Sequence, residues 1–214
     1  MDETNNESLA ATLAKYEIEL AAEQIERLDA YSRLLWEVNE TLNLTRHTDY
    51  ERFVTRDLVD SIQLANLIEP EETVLDVGTG GGVPGIVISI LRPDVTLTLC
   101  DSVAKKARAV AEIVAELELP IPVVHGSVQD ILEDHGFHVL IARAVAPLSK
   151  MLKWLAPHWG NIGRLLAVKG SRWAEERGEA RHFGLLKGLQ LRRAATYETP
   201  GTDAENVILK IWSN

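Results

Sequence analysis

The apolar positions Ile25, Leu28, Tyr31, Leu35, Val38 and Leu42 recur at steps of three and four residues. That period lines one face of a helix, which is predicted over about 23–42. Helices are also predicted over about 7–20 and 50–68, the latter opening on Thr48 and Glu51 at capping-box spacing. From Val74 the pattern changes to short apolar runs alternating with helical segments. Strands are expected near 73–77, 95–100, 121–125, 137–142 and 163–169, and helices near 84–91, 102–118, 127–134, 147–158 and 173–188, with Ser127 as an N-cap. Two last strands, near 190–197 and 205–212, are joined by a loop too short for a crossover helix, so they pair antiparallel. The alternation predicts an α/β fold with a Rossmann-like, mostly parallel seven-stranded sheet ending in an antiparallel hairpin. Residues 1–70 form a helical cap and 71–214 the sheet domain, the two expected to make one compact unit.

The first strand runs into Asp76-Val-Gly-Thr-Gly-Gly-Gly-Val-Pro-Gly85. Glycines here let the backbone take positive φ and let a ligand approach the main chain where a Cβ would collide. A strand before the loop, a helix after it and a second acid, Asp101, about 20 residues on mark a nucleoside-cofactor site. A pyrophosphate at the helix N-terminus would be repelled by Asp76. S-adenosylmethionine carries no phosphate, and its cationic amino acid end suits Asp76, directly or through water. Asp101 ends the next strand, where an acid accepts from ribose hydroxyls. Gly78, Gly80, Gly82 and Ser102 complete this part of the expected cofactor site. A dinucleotide is the competing ligand.

The chain has 214 residues, 46% of them hydrophobic, which supports one sizeable core. No run approaches the ~18 apolar residues of a membrane span, and the opening MDETNNES is acidic and polar, so a cytoplasmic location and no membrane contact are expected. A single Cys100 excludes an internal disulfide. The six histidines form no HxxxH or HExxH pattern, and no metal is expected. The net charge of −10 argues against promiscuous nucleic-acid binding, so any RNA must meet a local basic patch. Lys105, Lys106, Arg108, Lys169 and Arg172 are the candidates, with Arg46 and Arg56 as outliers.

Arg143 follows the fourth strand at the carboxyl edge, where open α/β sheets bind ligands. It is expected to be the catalytic residue, gripping the methionine carboxylate, an RNA phosphate or a guanine edge at the reacting centre, and to contribute little to folding. Core packing is expected of the tryptophans, with Trp173 the best candidate for base stacking. Cys100 reads as a small buried hydrophobe.

Several segments carry a resemblance over nearly the whole chain. These are Asn43-Leu-Thr45, Asp60-Ser61, the glycine loop with Val83-Pro-Gly-Ile86, Asp101-Ser102 with Lys105-Lys-Ala-Arg108, Ala142-Arg-Ala144, Ala146-Pro-Leu148 and Lys169-Gly170. The chain resembles the bacterial small-subunit (16S) ribosomal RNA guanine-N7 methyltransferases, also called glucose-inhibited division protein B. The resemblance implies a class I methyltransferase fold and methyl transfer to N7 of a guanine, in ribosomal RNA or in the assembled small subunit. It implies cofactor contacts at Gly78, Val83, Val128, Gln129 and Arg143. The pattern is broken at Asp57, Ser127, Gln129 and around Asn206.

The chemistry agrees with this reading. Guanine N7 is nucleophilic while neutral, so its methylation needs placement and water exclusion and no general base. The Asn/Asp-Pro-Pro-aromatic motif of amino methylation is replaced by Ala142-Arg-Ala-Val-Ala-Pro147. A non-catalytic S-adenosylmethionine or nucleotide sensor and a dinucleotide oxidoreductase are the alternative functions. A monomer is expected.

Overall fold

The computed structural model describes residues 8–214. The cap comprises α1 (Leu9–Lys15), α2 (Ala22–Leu42) and a short α3 (Tyr50–Arg52), which passes through a π-helical turn, Phe53–Leu58, into α4 (Val59–Ala65). The sheet domain follows as β1 (Thr73–Val77), α5 (Gly85–Leu91), β2 (Thr96–Asp101), α6 (Ala104–Glu116), β3 (Val123–His125), α7 (Val128–Asp134), β4 (Phe137–Arg143), α8 (Leu148–Leu155), β5 (Ile162–Lys169), α9 (Trp173–His182), β6 (Leu189–Glu198) and β7 (Glu205–Ser213). Strand order is β3-β2-β1-β4-β5-β7-β6. The first five strands are parallel, and β7 runs antiparallel between β5 and β6. The order reverses between β1 and β4, so ligands are expected at the carboxyl ends of these strands.

Successive strand residues point to opposite faces, and here both faces are covered. Val74, Leu97, Leu99, Val139 and Ile141 join a core with the cap helices, α5 and α6. Leu75, Cys100, Leu140, Ala142 and Leu165 join a second core with α7, α8 and α9. The cap shares the first core through Leu9, Leu13, Leu28, Tyr31, Leu35 and Phe53.

Among the helix boundaries that differ from expectation, three have a local cause in caps or turns. The start near residue 50 is capped by Asp49, whose Oδ1 accepts from the Arg52 N–H at 2.7 Å, and not by Thr48. The first helix ends at Lys15, because Glu17 turns to φ 54° and the Ile18 N–H returns to the Leu13 carbonyl at 3.0 Å, a Schellman-type stop. The helix after β5 ends at His182, with Gly184 at φ 70°. Residue 7 of the first predicted helix lies outside the described residues.

One buried hydrogen bond ties the cap to the glycine loop: Tyr31 Oη donates to the Gly81 carbonyl at 2.9 Å. Tyr31→Phe keeps the ring packing and removes the donor. It is expected to lower unfolding free energy by about 1–3 kcal/mol, the cost of a buried carbonyl left unpaired, as read by urea denaturation.

Candidate functional site

The loop after β1 closes on itself before it closes on anything else. Gly78, Gly80 and Gly82 take φ values of 65°, 60° and 102°. The Thr79 N–H donates to the Cys100 carbonyl at 2.9 Å and that of Gly82 to the Thr79 carbonyl at 2.8 Å. Asp76 Oδ2 accepts from Thr79 Oγ1 at 2.6 Å and from the Gly85 N–H at 3.0 Å. A Cβ on Gly85 would stand 2.1 Å from Leu99 Cδ2 and 2.7 Å from Asp76 Oδ2, so glycine is required there for packing. Asp76 is only 1% exposed. Expected to meet a ligand's amino acid end directly or through water, Asp76 braces the loop from beneath through Oδ2, and among the described residues its Oδ1 has no hydrogen-bond partner. Burial pushes its pKa up to about 6 against the opposing Thr79 and Gly85 hydrogen bonds. Gly82 is likewise turned inward, toward Ile86 and the Tyr31 hydroxyl, and does not line the cavity.

A cavity of about 680 Å³ opens at the carboxyl ends of β1, β2 and β4, with Gly78–Gly81 and Val83 among its lining residues. Asp101, Ser102, Val103 and Lys106 line it from the β2 end, and Leu44–His47, Asp57 and Arg143 line it from the cap and β4. A second cavity of about 230 Å³ contains Val128 and Gln129 and shares Gly78, Ser102, Val145 and Trp154 with the first. Together they form a cleft in the size range of cofactor sites, about 300–1,000 Å³. Asp101 Oδ2 accepts from the Gly80 N–H at 3.0 Å and Oδ1 from the Val103 N–H at 2.8 Å. A carboxylate oxygen can accept twice, so this fixed group keeps capacity for a ligand's hydroxyls. Cys100 is buried, which pushes its thiol pKa up to about 12, in keeping with a packing role.

Arg143 is placed at the cavity, but its guanidinium is already engaged. Nη2 meets Asp57 Oδ1 and Nε meets Asp60 Oδ2, both at 2.6 Å. His47 Nδ1 lies 2.8 Å from the same Asp57 oxygen, and Tyr197 Oη donates to Asp60 Oδ1 at 2.6 Å. Burial works against the Arg143 cation, and the two carboxylates outweigh it, so its pKa is raised. Among the described residues Asp57 Oδ2 has no hydrogen-bond partner. The free gripping arginine of the sequence reading is replaced by a buried ion-pair network that makes the cap-side wall.

The expected basic patch is partly dismantled as well. Lys169 Nζ meets Glu176 at 2.8 Å and donates to the Ala146 carbonyl at 2.8 Å, with its side chain 10% exposed; it braces the segment after β4. Arg172 is exposed and paired with Glu175 at 2.9 Å. Lys105 and Arg108 are exposed at the start of α6, and Lys106 lines the cavity. Trp154, read as core, is half-buried and lines both cavities. The role of Arg46 and His47 in the wall was not foreseen, although Asn43-Leu-Thr45 just before them had stood out. Asn39 Oδ1 accepts from the Thr45 N–H at 2.8 Å and Trp36 Nε1 donates to the His47 carbonyl at 2.8 Å, which fixes that loop.

Two predictions follow from these buried charges. The unfolded chain releases the Asp76 proton near 3.8 and the folded chain near 6, so stability falls as pH rises through that window, by on the order of 3 kcal/mol. Asp76→Asn should flatten this slope in unfolding free energies measured between pH 4 and 7. Arg143→Ala leaves two buried carboxylates without their counter-charge and is expected to cost about 3–5 kcal/mol of stability, measured by urea unfolding, where the sequence alone predicted little.

Residues 24–200 match the family described as rRNA small subunit methyltransferase G. The ribosomal RNA small subunit methyltransferase G of Rhodopirellula baltica is 53% identical over 170 residues, covering 79% of this chain and 74% of that protein. Its counterpart in Halorhodospira halophila is 37% identical over 171 residues, covering 80% and 81%. The structure of M. capricolum TrmK in complex with S-adenosyl-homocysteine shares the fold, with a TM-score of 0.56 at 14% identity over 72% of this chain and 68% of that one. The chain belongs to the rRNA small subunit methyltransferase G family.

Proposed function

We propose that this protein methylates N7 of a guanine in small-subunit ribosomal RNA, with S-adenosylmethionine as methyl donor. It acts in the cytoplasm as a monomer, on a late assembly intermediate or the assembled subunit. The observation that carries the cofactor choice is where the loop amides go. The N–H groups of Thr79, Gly80, Gly82 and Gly85 all donate within the protein. A pyrophosphate needs such amides free at the helix N-terminus, and a nucleoside without phosphates does not.

The residues fit S-adenosylmethionine in other respects. Gly80 has open space where a Cβ would stand, the nearest atom being the Gly78 carbonyl oxygen at 3.9 Å, so main chain can meet a ligand directly. In this reading Gly78, Gly80 and Val83 border the amino acid end, Asp101 and Ser102 the ribose, and Val128 and Gln129 the adenine. The bound cofactor supplies an electrophilic methyl group on a sulfonium. Guanine N7 offers a lone pair without deprotonation, so the protein's work is placement and exclusion of water. Arg143 acts through Asp57 and Asp60 and is a positioning residue: it holds the His47 and Asp57 wall against the cavity. Lys105, Lys106 and Arg108 are the RNA contacts at the mouth.

N7-methylguanine should be lost from small-subunit ribosomal RNA when the gene is deleted and restored by the wild-type gene. Gly80→Ala should fold, since its Cβ comes no closer than 3.9 Å to another protein atom, at a cost of about 1–2 kcal/mol for the left-handed backbone. It should fail to restore the mark and lose S-adenosylhomocysteine binding in calorimetry. An unchanged methylation map, or tight nicotinamide dinucleotide binding without S-adenosylhomocysteine binding, would overturn the reading.

A further inference from the structure

In a chain of net charge −10, the cations are not distributed evenly between paired and unpaired states. Arg92, Arg143, Arg164, Lys169 and Arg172 are each held by a carboxylate. Along the groove between α9 and β6 the situation is reversed. Arg177, Arg181 and Lys187 line that groove, of about 430 Å³, and none of them lies in a salt bridge among the described residues. Arg193 of β6 reaches the same face: its guanidinium carbon stands 5.2 Å from the centroid of the Trp173 ring, and that of Arg177 5.4 Å from the same ring.

A second feature points to a ligand with exposed bases. Phe183, just past α9, is 54% exposed, more than any other large hydrophobic side chain described. It carries Lys153 Nζ at 5.3 Å from its ring centroid and the His182 ring at 5.4 Å. Phe183 lies outside the groove lining, at the C-terminal end of α9 beside Lys153 of α8, and a cation beside an exposed aromatic ring matches a polyanion whose bases can stack. The guanidinium groups of Arg177 and Arg193, resting on Trp173, lose less freedom on binding than free arginines would.

We propose that the α9–β6 face, with the adjoining end of α9, is a second RNA-binding surface, separate from the cavity mouth, which takes backbone phosphates on Arg177, Arg181, Lys187 and Arg193 and an unpaired base on Phe183 just beyond the groove. The proposal rests on the ribosomal RNA reading above. It extends the footprint around the sheet, so a folded subunit engages both surfaces while a short RNA carrying the target guanine engages the mouth alone.

The test uses the full chain, purified small subunits and a short target hairpin. Arg177→Glu/Arg181→Glu should raise KM for subunits about tenfold with kcat unchanged, and reduce the slope of log affinity against log salt by about two, one for each lost phosphate contact. Phe183→Ala should raise the same KM about threefold. Methylation of the hairpin and calorimetric binding of S-adenosylhomocysteine should be unaltered in both variants, which also certifies folding. Arg192→Glu is the control, because Arg192 sits with Lys210 over Trp212 and not on this groove; it should change KM less than twofold. Unchanged KM in the double variant, or an equal loss in the control, overturns the proposal. Binding to subunits that purified ribosomal RNA does not compete for would also overturn it, in favour of a protein partner. Direct binding keeps the two readings distinguishable: wild-type protein that binds subunits through this face without methylating them would defeat the enzymatic reading and leave the surface intact.

Discussion

The pairing of Arg143 with Asp57 and Asp60 is a buried charge contact that joins three parts of the chain. Arg143 ends the central strand β4, the two carboxylates come from the cap, and Tyr197 of β6 adds its hydroxyl to Asp60. Charges this deeply placed are tolerated only when each has its partner, and removing one leaves the rest stranded. The network therefore fixes where the cap stands relative to the sheet, and with it the width of the cavity between Gly78–Gly81 and His47. Tyr31, from the same cap, bonds the loop from behind. Pocket and packing thus depend on the same few polar contacts.

Alternation of strands and helices was readable because apolar runs separated by turn residues leave few other ways to bury both sheet faces. Every strand position and the antiparallel closing hairpin followed from it. Helix ends were less readable. Asp49 displaced Thr48 as a cap because one residue's shift changes which side chain faces the free amides, and both types can cap. The π-helical turn at Phe53–Leu58 left no mark in the periodicity, since its stretch of apolar positions fits an ordinary helix equally well.

For the site, the glycine loop and Asp101 announced themselves through spacing along the chain. Roles that depend on partners distant in sequence did not. Asp76 reads the same whether it faces a ligand or Thr79. Arg143 and Lys169 read as free cations until Asp57, Asp60 and Glu176 are brought beside them. Trp154 reads as core because a tryptophan that is half-buried in a cleft has the same helical spacing as one in the interior. The composition of the chain gave its charge, and only the fold gave the sorting of that charge into spent and available.

The internal hydrogen bonding of the loop after β1 also bears on how such a site can change over evolutionary time. Its amides are committed to Cys100, Thr79, Asp101 and Asp76, so point substitutions around the rim alter fit and leave the cofactor class untouched. Conversion to a phosphate-binding loop would require two acids to be lost and several backbone bonds to be redirected together, with each intermediate leaving buried donors unpaired. The loop is a ratchet in that sense: many ways lead to a different methyl acceptor, and few lead to a different cofactor.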